Sequence, residues 1–297
     1  MINKQRLTRE DPGQTLLSVV SDREHERIAI RQAQARRRML VAVVSSMLVL
    51  GTLAIVIVAS PGWKVVKETF FDLTYGQEVL HLVVRGLLTN LQLTIVAGIA
   101  ISILAMALAL ARTSQSAAMT PFRILATVYV DVFRGIPLLL VILLIGFGVP
   151  ALRIAGVTSN VTVLGTVAVV VTYSAYVAEV LRSGILSIHP SQRAAARSLG
   201  LTQSQTLRFV VLPQALKRVV PPLLNDLVAL LKDTGLVSIL GVTDAIRAAQ
   251  IEGSRTFNYT PYVVAAILFL LITIPLTRYT DYVLARSIER QNAQGSV

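Results

Sequence analysis

Ser191-Gln-Arg-Ala-Ala-Ala-Arg-Ser-Leu-Gly200-Leu-Thr202, followed by Val210-Val-Leu212-Pro213, is a short polar stretch between long apolar runs. Its chemistry predicts a helix, a turn and a second helix. Pro190 suits a first helical turn, because it lacks the N–H that would be unpaired there, and Gly200 suits the left-handed position just past a helix end. Thr202 and Gln205 have capping-box spacing for the second helix, which Pro213 closes or kinks. Ala194, Ala195 and Ala196 leave the first helix slim enough to seat in a partner's groove. Taken alone, the pattern also suits an ordinary cytoplasmic loop with two helical turns.

The flanking runs set the class. The chain has 297 residues, 54% of them hydrophobic and 15% charged, with a mean hydropathy of +0.67, far from an average soluble domain. A membrane span takes about 20 mainly apolar residues. Six segments qualify, near 39–60, 87–111, 122–149, 161–181, 216–242 and 261–277. Inside lipid every backbone N–H and C=O must be paired within the segment, so such runs are helices. The expectation is an all-α polytopic membrane protein with about six transmembrane helices.

A net charge of +12 admits a nucleic-acid partner, but the basic residues are placed otherwise. Arg23, Arg27, Arg31, Arg36, Arg37 and Arg38 lead into the first span and set the N-terminus inside by the positive-inside rule. An even number of spans returns the C-terminus, with Arg286 and Arg290, to the same side. The helix–turn–helix also falls inside, with Arg182, Arg193, Arg197, Arg208, Lys217 and Arg218 on or beside it. Residues 1–38 read as a basic cytoplasmic tail, partly helical from Asp22 and either solvated or lying on anionic lipid. The basic region and the apolar run after it are too long for a cleavable signal peptide, so 39–60 is expected to be a retained anchor.

Several chemistries are missing. Cysteine is absent, and His25, His81 and His189 lack metal-ligand spacing. A phosphate-binding loop needs a Gly-Lys pair, which occurs nowhere. If ATP drives this protein, another polypeptide hydrolyses it.

The spacing of Ala195-Ala196, Gly200, Val210 and Leu212-Pro213 resembles the EAA loop of ATP-binding-cassette (ABC) importer permeases. There the loop is the coupling helix that docks on the ATP-hydrolysing subunit. Ser191 stands where the pattern has Gly, and Ala194 where it has Glu. The resemblance implies a coupling loop over 186–213, carried by Ala195, Ala196, Gly200, Leu201, Val210, Leu212 and Pro213. Tyr129-Val-Asp131-Val-Phe-Arg134-Gly-Ile-Pro137, Tyr173-Ser-Ala-Tyr176-Val-Ala-Glu179-Val-Leu-Arg182 and Leu230-Leu-Lys232-Asp233-Thr234-Gly235 resemble the polar amino acid branch, with Ile136 and Gly235 departing from its pattern. The likeness covers roughly 86–290, taken as the permease domain, and leaves 39–60 as an additional N-terminal span.

A charge at membrane depth costs about 2.5–3.5 kcal/mol on insertion scales and should face protein or water. Asp131 and Arg134, and Glu179 and Arg182, stand three apart and share helix faces, so each pair either neutralises itself or lines a path. Pro221-Pro222 and Lys232-Asp233-Thr234-Gly235 interrupt the fifth span. Broken helices at that depth line cavities or pack in protein, and a free helix N-terminus offers N–H groups to a carboxylate. Asn225, Asp226, Lys232, Asp233 and Thr234 are candidates for gripping a zwitterion. The alternative is a kinked scaffold helix with a Lys232–Asp233 pair.

The resemblance implies a dimer of ATPase subunits carrying ATP and Mg, a second permease subunit (the same or homologous), an extracytoplasmic solute-binding protein and a lipid surround. It implies no cofactor on this chain, no catalysis by it and no nucleic acid. Two rivals stay open: an ion-coupled secondary carrier, which usually shows inverted repeats, and a membrane scaffold that only recruits a partner.

Overall fold

The structure, a computed structural model, describes residues 12–114 and 116–295, all of whose regular elements are helical. It divides into two units, Met1–Val66 and Lys67–Val297. The first is dominated by α1 (Pro12–Ala59), a helix of 48 residues. The stretch Arg36–Ala59 is apolar enough to cross a membrane, with mean hydropathy 2.7. The tail is thus helical from Pro12 rather than from Asp22. Residues 1–11, and the side chains of Arg23, His25 and Arg290, lie outside what the structure describes.

The short α2 (Trp63–Phe70) spans the boundary and leads into α3 (Leu73–Thr113), capped by the Asp72 carboxylate accepting from the Tyr75 N–H at 3.1 Å. After α4 (Thr120–Gly135), α5 (Leu138–Leu143), a π-turn over Leu144–Gly148 and a final turn α6 (Val149–Ala151), the long α7 (Val161–Leu186) follows. Its cap is Asn160, whose Oδ1 accepts from the N–H groups of Thr162 and Val163. Next come α8 (Pro190–Ser198), α9 (Gln203–Thr206), a π-turn over Leu207–Val211, α10 (Leu212–Asp233), a 3-10 segment Thr234–Leu240, α11 (Ala245–Thr256) and α12 (Thr260–Gly295).

Contacts fix the directions. Arg112 near the end of α3 meets Glu179 near the end of α7, and Asp72 before α3 meets Thr260 at the start of α12. These three helices therefore run the same way. Tyr173 meets Asp233, and Gly184 meets Val219, so α10 runs back along α7. Lipid gives no hydrophobic drive between helices, so close approach by small residues must hold them. The core has that composition: Ala97, Ala105 and Ala109 of α3, Ala168, Ala175 and Ala178 of α7 and Ala215 of α10 are buried together. α7 and α10 cross closely at Gly184, where a Cβ would lie 2.3 Å from the Val219 side chain.

Two expected spans differ. Segment 122–149 is not straight: Ala117–Gly135 and Leu138–Ala151 meet at 105°. The cause is Pro137, which pushes Ile136 out of the helical region to φ −98°, ψ 130°. Segment 216–242 is helical, as α10 and the 3-10 segment, yet is not among the four helices that pass as freestanding spans, or five with the bent pair. Lys217, Arg218, Asp226, Lys232 and Asp233 make α10 too charged to face lipid on all sides. It packs against α3, α7 and α12 instead. Nor do Pro221 and Pro222 break it, since the helix continues through both. The expected free helix N-terminus at that point does not exist.

Candidate coupling loop and substrate pathway

The loop between α7 and α10 is built almost wholly from local signals. α8 begins at Pro190, and the His189 Nδ1 caps it by accepting from the Ser191 N–H at 3.2 Å. It ends in a Schellman turn. The Gly200 N–H donates to the Arg197 carbonyl at 3.0 Å and the Leu201 N–H to the Ala196 carbonyl at 3.2 Å. Gly200 takes φ +86°, a conformation open to glycine at little cost. The capping box forms as expected, with the Gln205 N–H donating to Thr202 Oγ1 and the Thr202 N–H to Gln205 Oε1.

Pro213 neither closes nor breaks the second helix. The π-turn over Leu207–Val211 widens the coil just before it, and α10 proceeds. A widened turn takes up the carbonyl with which the proline ring would otherwise collide. Ala196 and Val211 are buried and seat the loop on the bundle. Leu201, Val210 and Leu212 are half-buried, while Ala195, Gly200 and Pro213 are exposed.

One arginine ties the loop to α7 and a second ties α10 to it. The last carbonyls of any helix lack intrahelical partners. Here an Arg193 guanidinium from α8 donates to the Ile185 carbonyl at 2.6 Å. Arg218 from α10 donates to the Ser187 carbonyl at 2.7 Å. Both α8 and α10 are thus bonded to the end of α7. Sequence reasoning placed these arginines only as topology signals, because a helix's orphan carbonyls become visible once its end is located.

Of the two membrane pairs that the spacing suggested, one forms. Glu179 and Arg182 do pair, at 2.8 Å. Asp131 and Arg134 do not: Asp131 is exposed, and Arg134 reaches Glu179 instead, at 4.0 Å. Arg112 of α3 is the third cation on the same carboxylate. Glu179 therefore joins α3, α4 and α7, and Arg112 was missed because its partner lies far along the chain.

A cavity of about 440 Å³ opens between α3, α7 and α10, walled mostly by aliphatic side chains with Ser102, Tyr173 and Asp226 as its polar members. Asp226 Oδ2 is buried and has no hydrogen-bond partner among the described residues. Asp233 accepts from the Tyr173 hydroxyl at 2.6 Å, which fixes the tyrosine at the cavity wall. No ion pair joins Lys232 to Asp233 among the described residues; Lys232 and Asn225 are exposed and do not line the cavity. Thr234 belongs to a buried knot: it donates to the Leu231 carbonyl, and Asn90 donates both to it and to Asp244. Of the five candidates on α10 and the start of the 3-10 segment, the structure thus brings Asp226 to the cavity and Asp233 to its edge through Tyr173. The other three lie elsewhere.

A family described as "binding-protein-dependent transport system inner membrane component" matches residues 106–289. The chain belongs to it. It is a multi-pass permease subunit of an ABC transport system. The arginine transport system permease protein ArtQ of Bacillus subtilis (strain 168) is 32% identical over 196 residues, covering 66% of this chain and 87% of that one. The probable glutamine ABC transporter permease protein GlnM of the same organism is 38% identical over 165 residues, covering 54% and 74%. Among solved structures, an amino acid ABC transporter crystallised with histidines matches at TM-score 0.66 and 32% identity, covering 72% of this chain and 98% of that one. The MetNI methionine ABC transporter, inward facing, agrees in fold at TM-score 0.53 and 22% identity, covering 69% and 96%. Membership in this family sets the ion-coupled carrier aside.

Proposed function

We propose that this chain forms the membrane path of an ATP-driven importer for a polar amino acid. The observation that carries the reading is the loop from Pro190 to Pro213, an ordered turn braced on the end of α7 through Arg193, with Arg218 of α10 holding the Ser187 carbonyl beside it. Relatives named for arginine and glutamine transport supply the substrate class. Two permease subunits, identical or homologous, enclose the path. Two ATPase subunits carrying ATP and Mg dock beneath the loop, and an extracytoplasmic binding protein delivers substrate from the other side. Both termini face the cytoplasm. Residues 1–38 are a basic tail and 39–60 an added anchor, both outside the part of the chain that the family matches.

Asp226 is the receptor for the substrate's ammonium group. A buried carboxylate oxygen without a partner costs about 1–3 kcal/mol, and a cation in the cavity would remove that cost. Tyr173 and Asp233 set the shape of the wall beside it. Asp131, Arg134 and Glu179 form the polar surface near the loop end of the path. ATP-driven closure of the ATPases presses on α8, and the arginine braces carry the displacement into α7 and α10.

The test is mass spectrometry of proteins retained by the chain, tagged at its C-terminus, from gently solubilised native membranes. A P-loop ATPase retained by wild type and lost with Gly200→Asp supports the reading, and a binding protein in the same eluate names the substrate. Recovery of the chain alone, from extracts in which other membrane complexes survive, rejects it.

A further inference from the structure

The loop's charge is one-sided. From Glu179 to Asp226 the chain carries Arg182, Arg193, Arg197, Arg208, Lys217 and Arg218 and no acidic residue between them. Three of these cations are turned back into the bundle: Arg182 onto Glu179, and Arg193 and Arg218 onto the carbonyls at the end of α7. The rest face outward. Arg197 is exposed and donates to the Leu201 carbonyl at 2.8 Å, which stiffens it across the turn. Arg208 is exposed, its guanidinium 5.5 Å from the centre of the Phe209 ring. Close to these cations in the sequence stand two large apolar side chains, Leu199 at 84% exposure and Phe209 at 61%. Ala194 and Ala195 are exposed and add no charge.

We propose that the loop docks on an acidic surface of the ATPase, with carboxylates opposite Arg197 and Arg208 and an apolar socket for Leu199. This rests on the coupling role given above and specifies the partner's chemistry. Oppositely charged patches steer two proteins together and reject wrong partners, while a buried apolar anchor slows their separation. A cationic loop without a single carboxylate has one complementary protein surface, an acidic one. Anionic headgroups also attract arginines, but a helix that lies in the interface needs a face of large apolar residues. α8 has none, its sequence being Pro-Ser-Gln-Arg-Ala-Ala-Ala-Arg-Ser. The family pattern has Glu where Ala194 stands. In this chain that position lies on a helix whose only charges are Arg193 and Arg197, so a Glu placed there would face the partner's own carboxylates.

The experiment measures how much ATPase the tagged full-length chain retains from native membranes as NaCl is raised from about 50 to about 300 mM, where screening shortens the reach of charges. Wild type should lose ATPase steadily as salt rises. Arg197→Glu with Arg208→Glu should lower retention at least about tenfold at low salt, equivalent to about 1.4 kcal/mol. Arg197→Lys with Arg208→Lys should retain most of it. Ala194→Glu, which moves the loop toward the family pattern, should weaken retention at low salt. Membrane abundance and thermal melting of each variant, equal to wild type, separate docking from folding. Retention by Ala194→Glu equal to or above wild type overturns the proposal. So does wild-type retention by the double glutamate variant, which would assign these cations to lipid headgroups. Wild type that retains no ATPase at any salt removes the parent reading and this one with it.

Discussion

The proposed coupling loop and the proposed pathway helix adjoin at Leu212, and they are organised in opposite ways. The loop takes its shape from interactions that span at most five residues: the His189 cap, the Schellman turn at Gly200, and the Thr202–Gln205 box. The pathway helix takes its meaning from distant partners, with Asp233 held by Tyr173 and Thr234 by Asn90. A surface that must fit a separate protein benefits from a shape that survives movement of the bundle. A wall that must open and close is better made from contacts between elements that can part.

The comparison can be broken at four points. The largest effect is expected at Asp226. Asp226→Asn removes the proposed ammonium receptor, and losing a charge-assisted hydrogen bond of about 1.5–3 kcal/mol raises the apparent KM for uptake roughly 10- to 100-fold. The same change relieves an unpartnered buried carboxylate, so thermal stability should stay level or rise. Uptake titrations beside melting curves check both, and a fall in stability with unchanged KM would make Asp226 a scaffold residue.

Glu179→Gln leaves Arg112, Arg134 and Arg182 around a neutral group. Breaking a fully buried pair costs about 3–5 kcal/mol. This site is partly exposed, so about 1–3 kcal/mol is expected after discounting for solvent. Melting in detergent measures it, and a double cycle with Arg112→Gln should show the two changes to be strongly non-additive.

Gly184→Ala puts a methyl group where Val219 stands, and overpacking of this kind costs about 1–3 kcal/mol. Lower membrane abundance, recovered by Val219→Ala, is the expected signature. A neutral Gly184→Ala would mean that α7 and α10 cross more loosely than their contact indicates.

The smallest effect belongs to the loop. Thr202→Ala removes one cap at about 0.5–2 kcal/mol, and it should lower ATPase retention while leaving the melting of the bundle unchanged. Equal losses at both would show that the loop and the bundle fold as one unit.

The same division explains what could be read from the chain alone. The loop's boundaries, its glycine turn and its capping box follow from residue types at fixed short spacings, and the apolar runs announce the long helices. The 105° bend was written in Gly135-Ile136-Pro137 but outweighed by the hydropathy around it. Helix α10 was counted as a span, though an interrupted one, because Val228, Leu230 and Leu231 conceal how many charges share its length. Arg134 could be placed on one face with Asp131, yet a three-residue spacing permits a pair without requiring it, and a carboxylate on α7 competes successfully. Arg112, Tyr173, Asn90 and Asp244 escaped notice as site residues because their partners lie tens of residues or more away. No periodicity reports contacts at such separations.

Whether motion of the loop drives transport is decided by measuring substrate uptake and ATP hydrolysis together in proteoliposomes holding the complete transporter, with wild type and Gly200→Asp side by side. The account predicts ATP-dependent uptake by wild type. For the variant it predicts normal insertion and no uptake, because a side chain is forced into a turn at φ +86° and a negative charge is set at the docking surface. Wild-type uptake by Gly200→Asp at normal membrane abundance would contradict it.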